Sequence, residues 1–231
     1  MEFCMLDNLE AIDGCVKKAI KELRAGGVVI YPTDTIYGLG ADALSDEAVE
    51  KIYQIKVRDE QKTIHAIVAD IAMMEKYAEV SDMANMLIKE FLPGPLTLIL
   101  KKREGVDTGI GRLPGQGGIN TIGIRIPNNP FCLALAKEFG KPITATSANL
   151  SGQKTERNIK AILEQLRDNS HSNILQNVRM TNVDLAVDAG ELPERQPSTV
   201  VDVSGHEPVI LREGAISASE IWNILGTEFQ D

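Results

Sequence analysis

Apolar positions along the chain follow two periods. In "LEAIDGCVKKAIKELR" (9–24), Leu9, Ile12, Val16, Ala19, Ile20 and Leu23 fall on one face of a helix, and Gly26 and Gly27 stop it. A continuous apolar run at 28–31, "VVIY", predicts a buried strand that breaks at Pro32. The helical period returns in "SDEAVEKIYQIK" (45–56), with Asp46 and Glu47 near its positive end. It returns again at 81–95, ended by Pro93 and Gly94, and at 129–140, 155–168 and 217–225. Ser217 and Glu220 stand at capping-box spacing. Strands are predicted at 63–70, 96–102, 121–127 and in "KPITAT", then at 183–190, 198–203 and 208–214. Helices alternate with strands through most of the chain, and strands cluster near its end. That order predicts an α/β fold with a mixed sheet.

The length of 231 residues suits one domain, residues 1–231, without an obvious linker or repeat. Hydrophobic residues make up 43% but aromatics only 4%, so the core is expected to be aliphatic. No apolar run approaches the roughly 18 residues of a membrane helix. The acidic start "MEFCMLDNLEAIDG" lacks the positive region of a signal peptide, so a cytoplasmic protein without membrane association is expected. Cys4, Cys15 and Cys132 are odd in number and form no CxxC pair. They are expected to be buried free thiols rather than a disulfide frame or zinc site. His65, His171 and His206 lack metal-ligand spacing. A formal charge of −9 argues against extensive non-specific nucleic-acid binding, though a local basic cleft is compatible with it.

Polar stretches gather at predicted strand ends, where sites in open α/β sheets form: "PTDTIYGLGAD", "KVRDEQK", "TATSANLSG", "PSTVVD" and "LREG". Pro32, Gly38 and Gly40 suit a turn, while Thr33, Asp34 and Thr35 supply hydroxyls and a carboxylate. Lys56 and Arg58, two apart, suit a polyphosphate, with Lys62 close by; the bland alternative is a solvated surface run. "SANLSG" can hold phosphate, ribose or base, or can simply be an Asx or Ser turn. "GIGRLPGQGG" has no Lys-Ser or Lys-Thr ending and is not a Walker A loop; Arg112 lies within it. No Ser-His-Asp or Cys-His arrangement emerges. The residue types favour catalysis by positioning and charge neutralisation.

Taken together and in order, "YPTDTIYGLGADAL", "KVR", "TIGIRIP", "TATSANLSG", "STVVD" and "LREG" resemble the YrdC-like family of threonylcarbamoyl-AMP synthases. The resemblance runs from about residue 10 to about residue 218, and the chain looks like the short, single-domain form. It implies a twisted mixed α/β sheet curved around a deep cleft. It implies the condensation of L-threonine, bicarbonate and ATP, with Mg2+, to threonylcarbamoyl-AMP and pyrophosphate. Partner enzymes would transfer the threonylcarbamoyl group to tRNA adenosine 37. It also implies site residues. Lys56 and Arg58 match the phosphate-contacting pair, expected to be catalytic, and Lys62, Thr121, Ser147, Asn149, Thr155 and Arg212 match nucleotide contacts. Thr35, Arg125, Ala145 and Ser198 match threonine contacts, with Arg125 taking the carboxylate.

The sequence departs from the family at 57–67. Val57, Asp59 and Thr63 replace Gly, Pro and Pro, and the family's histidine, a threonine contact, falls on Ile67. His65 lies two residues earlier on the same strand face. The rival readings are a double-stranded RNA or tRNA-binding module with weak tRNA contact and a paralogue using another carbamoyl or adenylyl substrate. A third, carbamoyl transfer as in hydrogenase maturation, lacks its companion acylphosphatase and zinc modules here.

Overall fold

A computed structural model describes residues 1–57, 64–106, 120–168 and 183–226. Its strands are β1 (Glu2–Met5), β2 (Val29–Pro32), β3 (Tyr37–Gly40), β4 (His65–Ile67), β5 (Ala78–Glu79), β6 (Leu96–Lys102), β7 (Thr121–Arg125), β8 (Ile143–Ser147), β9 (Leu185–Asp188), β10 (Thr199–Asp202) and β11 (Val209–Arg212). Its helices are α1 (Ala11–Arg24), α2 (Asp46–Lys56), α3 (Ile71–Tyr77), α4 (Asp82–Phe91), α5 (Pro130–Phe139), α6 (Ile159–Asp168) and α7 (Ala218–Leu225). The strands form one sheet in the order β1-β9-β2-β3-β8-β4-β7-β6-β10-β11, with β5 paired to β6. Parallel pairs (β1 with β9, β2 with β9, β4 with β7, β6 with β10) mix with antiparallel ones, as the α/β pattern predicts.

Strand alternation divides the core between the two faces of the sheet. On β2, Val29 and Tyr31 join Cys15, Val16, Ile20 and Leu23 of α1 and Phe131 and Leu135 of α5. Ile30 points the other way, into the larger cluster with Ile52 of α2, Leu87 of α4, Ile162 of α6 and Ile221 of α7. Aliphatic side chains dominate both layers. Local signals start the helices. Ser45, Ser81 and Asn129 accept the first-turn N–H groups of α2, α4 and α5, and Ser217 with Glu220 completes a capping box on α7.

The stretch after β2 is not the open turn suggested by its glycines. Gly38 and Gly40 lie within β3, which pairs antiparallel with β2 in a tight hairpin. A Cβ on Gly40 would come within 2.7 Å of the Tyr31 ring, so glycine here permits close approach rather than a bend. Tyr31 is locked over this backbone by donating its hydroxyl to Thr144 O at 2.9 Å, and burial raises its pKa well above the usual tyrosine value.

The free-thiol expectation fails for two cysteines. β1 binds β9 at the sheet edge and α1 packs behind it, bringing Cys4 and Cys15 to a Cα–Cα distance of 5.7 Å, where they form a disulfide. The sequence conceals this pairing because β1 is ordered by residues about 180 positions away in β9. Cys132 remains a free thiol, fully buried, with its Sγ 3.2 Å from Pro32 O; desolvation pushes its pKa well up. Alkylation of the native protein at pH 8 is therefore expected to label no cysteine. Alkylation after denaturation is expected to label Cys132 alone, and prior reduction to add Cys4 and Cys15, as read by intact mass.

Candidate active site

Pro32 ends β2, and the next three residues fold back on themselves. Thr33 Oγ1 accepts the N–H groups of Thr35 and Ile36, each at 3.1 Å, and donates to Ile36 O at 2.7 Å. Its proton is thus committed, so Thr35 must donate across the 3.1 Å between the two hydroxyls. Thr35 Oγ1 in turn accepts from Arg125 Nη1 at 3.0 Å. Thr35 therefore faces the cleft as an acceptor.

Arg125, the last residue of β7, is the anchor of this wall. Its Nε donates to Gly94 O at 3.0 Å and its Nη2 to Asp34 Oδ1 at 2.6 Å. Asp34 Oδ2 also accepts from Asn128 N at 3.0 Å. A guanidinium carries five N–H donors. Three are fixed to the scaffold, and the side chain still lines the cleft. That geometry leaves a donor edge suited to a carboxylate.

A second wall comes from β8 and the "SAN" turn. Lys56 closes α2, and its ammonium reaches Ser147 O, Asn149 O (2.8 Å) and Asn149 Oδ1 (3.0 Å). Lys56 is 1% exposed, so these acceptors offset a large desolvation cost. The Asn149 amide has one workable orientation: Oδ1 faces the ammonium, and Nδ2 donates to Gln153 O at 2.6 Å. Ser147 Oγ must then donate to Asn149 Oδ1, at 2.6 Å, and presents its lone pairs to the cleft.

The third wall is β10 with the end of β11. Arg212 donates to Ser198 O at 2.8 Å and Ser198 Oγ at 3.2 Å. Ser198 Oγ also bonds the Thr97 hydroxyl at 2.9 Å. Between the walls lies a cleft of about 220 Å³ that opens to solvent.

The structure brings together Thr35, Arg125, Ala145, Ser147, Thr155, Ser198 and Arg212 in this cleft. Asn149 supports Ser147 from within the turn, and Lys56 is buried against the same turn. Thr121 sits half-buried at the start of β7, paired with Lys101 and away from the cleft lining. Ile67 is 1% exposed in the layer beneath α1 and α5, packed with Val29, Tyr31 and Phe131. His65, on the same face of β4, lines the cleft where that helix cover ends. Its ring lies so close to Gly123 that a Cβ there would meet it at 2.4 Å. Arg58, Lys62 and Arg112 lie outside the described residues. Sequence reasoning missed Tyr31, Thr97 and Thr146, which also line the cleft. Their only signal was a hydroxyl placed within a predicted strand.

The chain is similar to known proteins in sequence and in fold. The sequence model of the Sua5–YciO–YrdC family, described as "Telomere recombination", matches residues 21–214. A relative from Methanocaldococcus jannaschii is 35% identical over 201 residues, 87% of this chain and 86% of its own length. A Pyrococcus abyssi protein named threonylcarbamoyl-AMP synthase is 34% identical over 205 residues, 88% of this chain. The chain spans only 55% of that relative's length. The crystal structure of P. abyssi Sua5 complexed with L-threonine superposes with a TM-score of 0.81 at 31% identity, over 97% of this chain and 60% of that one.

Two changes test the second wall. Val57 caps α2 at φ 48° and ψ 45°, a left-handed conformation costly for a β-branched residue. Val57→Gly is expected to raise unfolding stability by about 1 kcal/mol in a denaturant titration. Lys56→Met removes the ammonium from three acceptors and is expected to cost about 3 kcal/mol in the same titration and to abolish detectable ATP binding by calorimetry.

Proposed function

The chain belongs to the Sua5–YciO–YrdC family, and on that premise we propose that it makes threonylcarbamoyl-AMP and pyrophosphate from L-threonine, bicarbonate and ATP. The observation that carries the reading is the buried Arg125–Thr35 pair: a carboxylate-binding fork beside a hydroxyl acceptor at one end of a cleft. An α-amino acid offers that same pair of groups, a carboxylate and a nearby donor.

Arg125 holds the threonine carboxylate, and Thr35 accepts from a donor of the same molecule. Ala145 and Ser198 complete this end. Ser147, Thr155 and Arg212 face the nucleotide, with Asn149 fixing Ser147. The family resemblance assigns Arg58 and Lys62, which lie outside the described residues, to the phosphates. Lys56 acts through the "SAN" turn, holding it in place and lending it positive charge. The threonine ammonium first loses a proton to solvent; the free amine then attacks the carbon of bicarbonate or its CO2, giving N-carboxythreonine, and bicarbonate loses water in that step. The new carboxylate oxygen attacks the α-phosphorus, the bond to the β-phosphate oxygen breaks, and pyrophosphate leaves. No protein base is required at the second step, because the attacking oxygen is already anionic.

Mg2+ carried with ATP would supply charge neutralisation at the phosphate oxygens. It takes hard oxygen ligands. Ser147 Oγ fits, since its proton is committed to Asn149 and its lone pairs face the cleft. The product then passes to tRNA threonylcarbamoyl-transfer enzymes, in the cytoplasm. Among the described residues, no helix is long and apolar enough to cross a membrane.

Pyrophosphate release in the presence of ATP, Mg2+, bicarbonate and L-threonine tests the reading. Release is expected to require threonine and to stop with EDTA. Thr35→Ala is expected to lower kcat/KM for threonine by about tenfold. Pyrophosphate release that is indifferent to threonine would overturn the assignment.

A further inference from the structure

The charge of the amino-acid end is set from behind the cleft wall. Arg125 lines the cleft, whereas Asp34 lines the adjacent cavity with Asn128 and Arg195. The two side chains meet at 2.6 Å and are both more than nine-tenths buried, at 8% and 7% exposure. Asp34 cannot readily turn away, because its second oxygen is held by Asn128 N. Arg195 contacts the same residue, but it donates to the Asp34 carbonyl, and its own side chain is exposed to screening by solvent.

We propose that Asp34 is a specificity-determining residue: by cancelling the charge of Arg125, it tunes this end of the cleft to a zwitterion and against a plain carboxylate of the same shape. The proposal rests on the reading that Arg125 takes the substrate carboxylate. A lone buried guanidinium would attract any monoanion. Beside Asp34, a bare carboxylate brings the local sum to −1 in a wall of low dielectric, where net charge is costly. An α-amino acid carries its own cation and leaves the sum at zero. The distinction matters for a reaction whose nucleophile is the amine. A hydroxy acid seated on Arg125 would block the cleft without that amine.

Asp34→Asn removes the charge at constant size. Its amide has one acceptor oxygen where the carboxylate has two, so it serves Arg125 or Asn128 N but not both. Asp34→Ser, which leaves room for water, is the second variant in case the amide is not accommodated. Asp34→Glu keeps the charge.

The experiment is calorimetric titration of the full chain, free of ATP, with L-threonine and with 2,3-dihydroxybutanoate, which has a hydroxyl in place of the amine. Wild type is expected to prefer threonine. Asp34→Asn or Asp34→Ser is expected to lower the threonine-to-hydroxy-acid affinity ratio by about tenfold, and Asp34→Glu to retain most of it. A merely structural role would weaken both ligands alike and leave the ratio unmoved. An unmoved ratio in folded Asn and Ser variants, or no preference in wild type, overturns the proposal. Threonine-dependent pyrophosphate release persisting alongside an unmoved ratio overturns the role of Asp34 alone. A ratio that falls as expected in a protein releasing no threonine-dependent pyrophosphate supports Asp34 and overturns the reaction. Wild type that binds no threonine overturns both.

Discussion

A buried guanidinium ties one end of the sheet together. Arg125 joins β7 to the loop before β6 through Gly94 O, and to the hairpin loop between β2 and β3 through Asp34 and Thr35. Burying such a charge is tolerable only when its donors are matched, and three of them are. The matching explains the local sequence. Thr33 must fold the loop so that Thr35 and Asp34 both reach the arginine, and β3 must pass close under Tyr31 so that the hairpin stays tight. Remove the guanidinium, and the carboxylate and hydroxyl that it organises lose their reason to converge.

A second buried cation does similar work across the cleft. Lys56 sits at the end of α2 with its ammonium among the carbonyl-type oxygens of the Ser147–Asn149 turn. Its charge sits behind the wall, and its hydrogen bonds fix the direction of the Ser147 hydroxyl. In a chain of formal charge −9, Lys56 places a positive charge behind the "SAN" wall, while Asp34 offsets that of Arg125 at the other end. The disposition of protons is equally constrained. Thr35 and Ser147 both face inward as acceptors, each because a neighbour has taken its proton. The cleft thus offers arginine donors and hydroxyl acceptors, which suit the amino acid and nucleotide proposed for it.

Most of the fold was legible because its signals are local: helical period, the Ser217–Glu220 capping box, and apolar strand runs. What was hidden depends on distant partners. β1 is an exposed edge strand organised by β9, and the Cys4–Cys15 disulfide follows from that pairing. β3 resembled a turn because Gly38 and Gly40 answer to the Tyr31 ring rather than to backbone curvature. At the site, Thr35, Arg125, Ser147, Ser198 and Arg212 could be picked out as polar residues at strand ends in an ordered set of motifs, and they converge. Ile67 could not be resolved from strand alternation. His65 and Ile67 share a face, but only the former lies beyond the helix cover. Lys56 was identifiable as a cation but not as a buried one. Its three acceptors come from a turn about 90 residues further along the chain.

The central claim is that Arg125 and Thr35 receive an amino acid while the "SAN" wall receives ATP. The most direct measurement is a crystal structure of the chain with L-threonine, Mg2+ and a non-hydrolysable ATP analogue. The threonine carboxylate is expected within hydrogen-bond distance of Arg125, a threonine donor on Thr35 Oγ1, and the triphosphate alongside Ser147. Threonine bound away from Arg125, or a nucleotide lying against Arg125 and Thr35 instead, would contradict it.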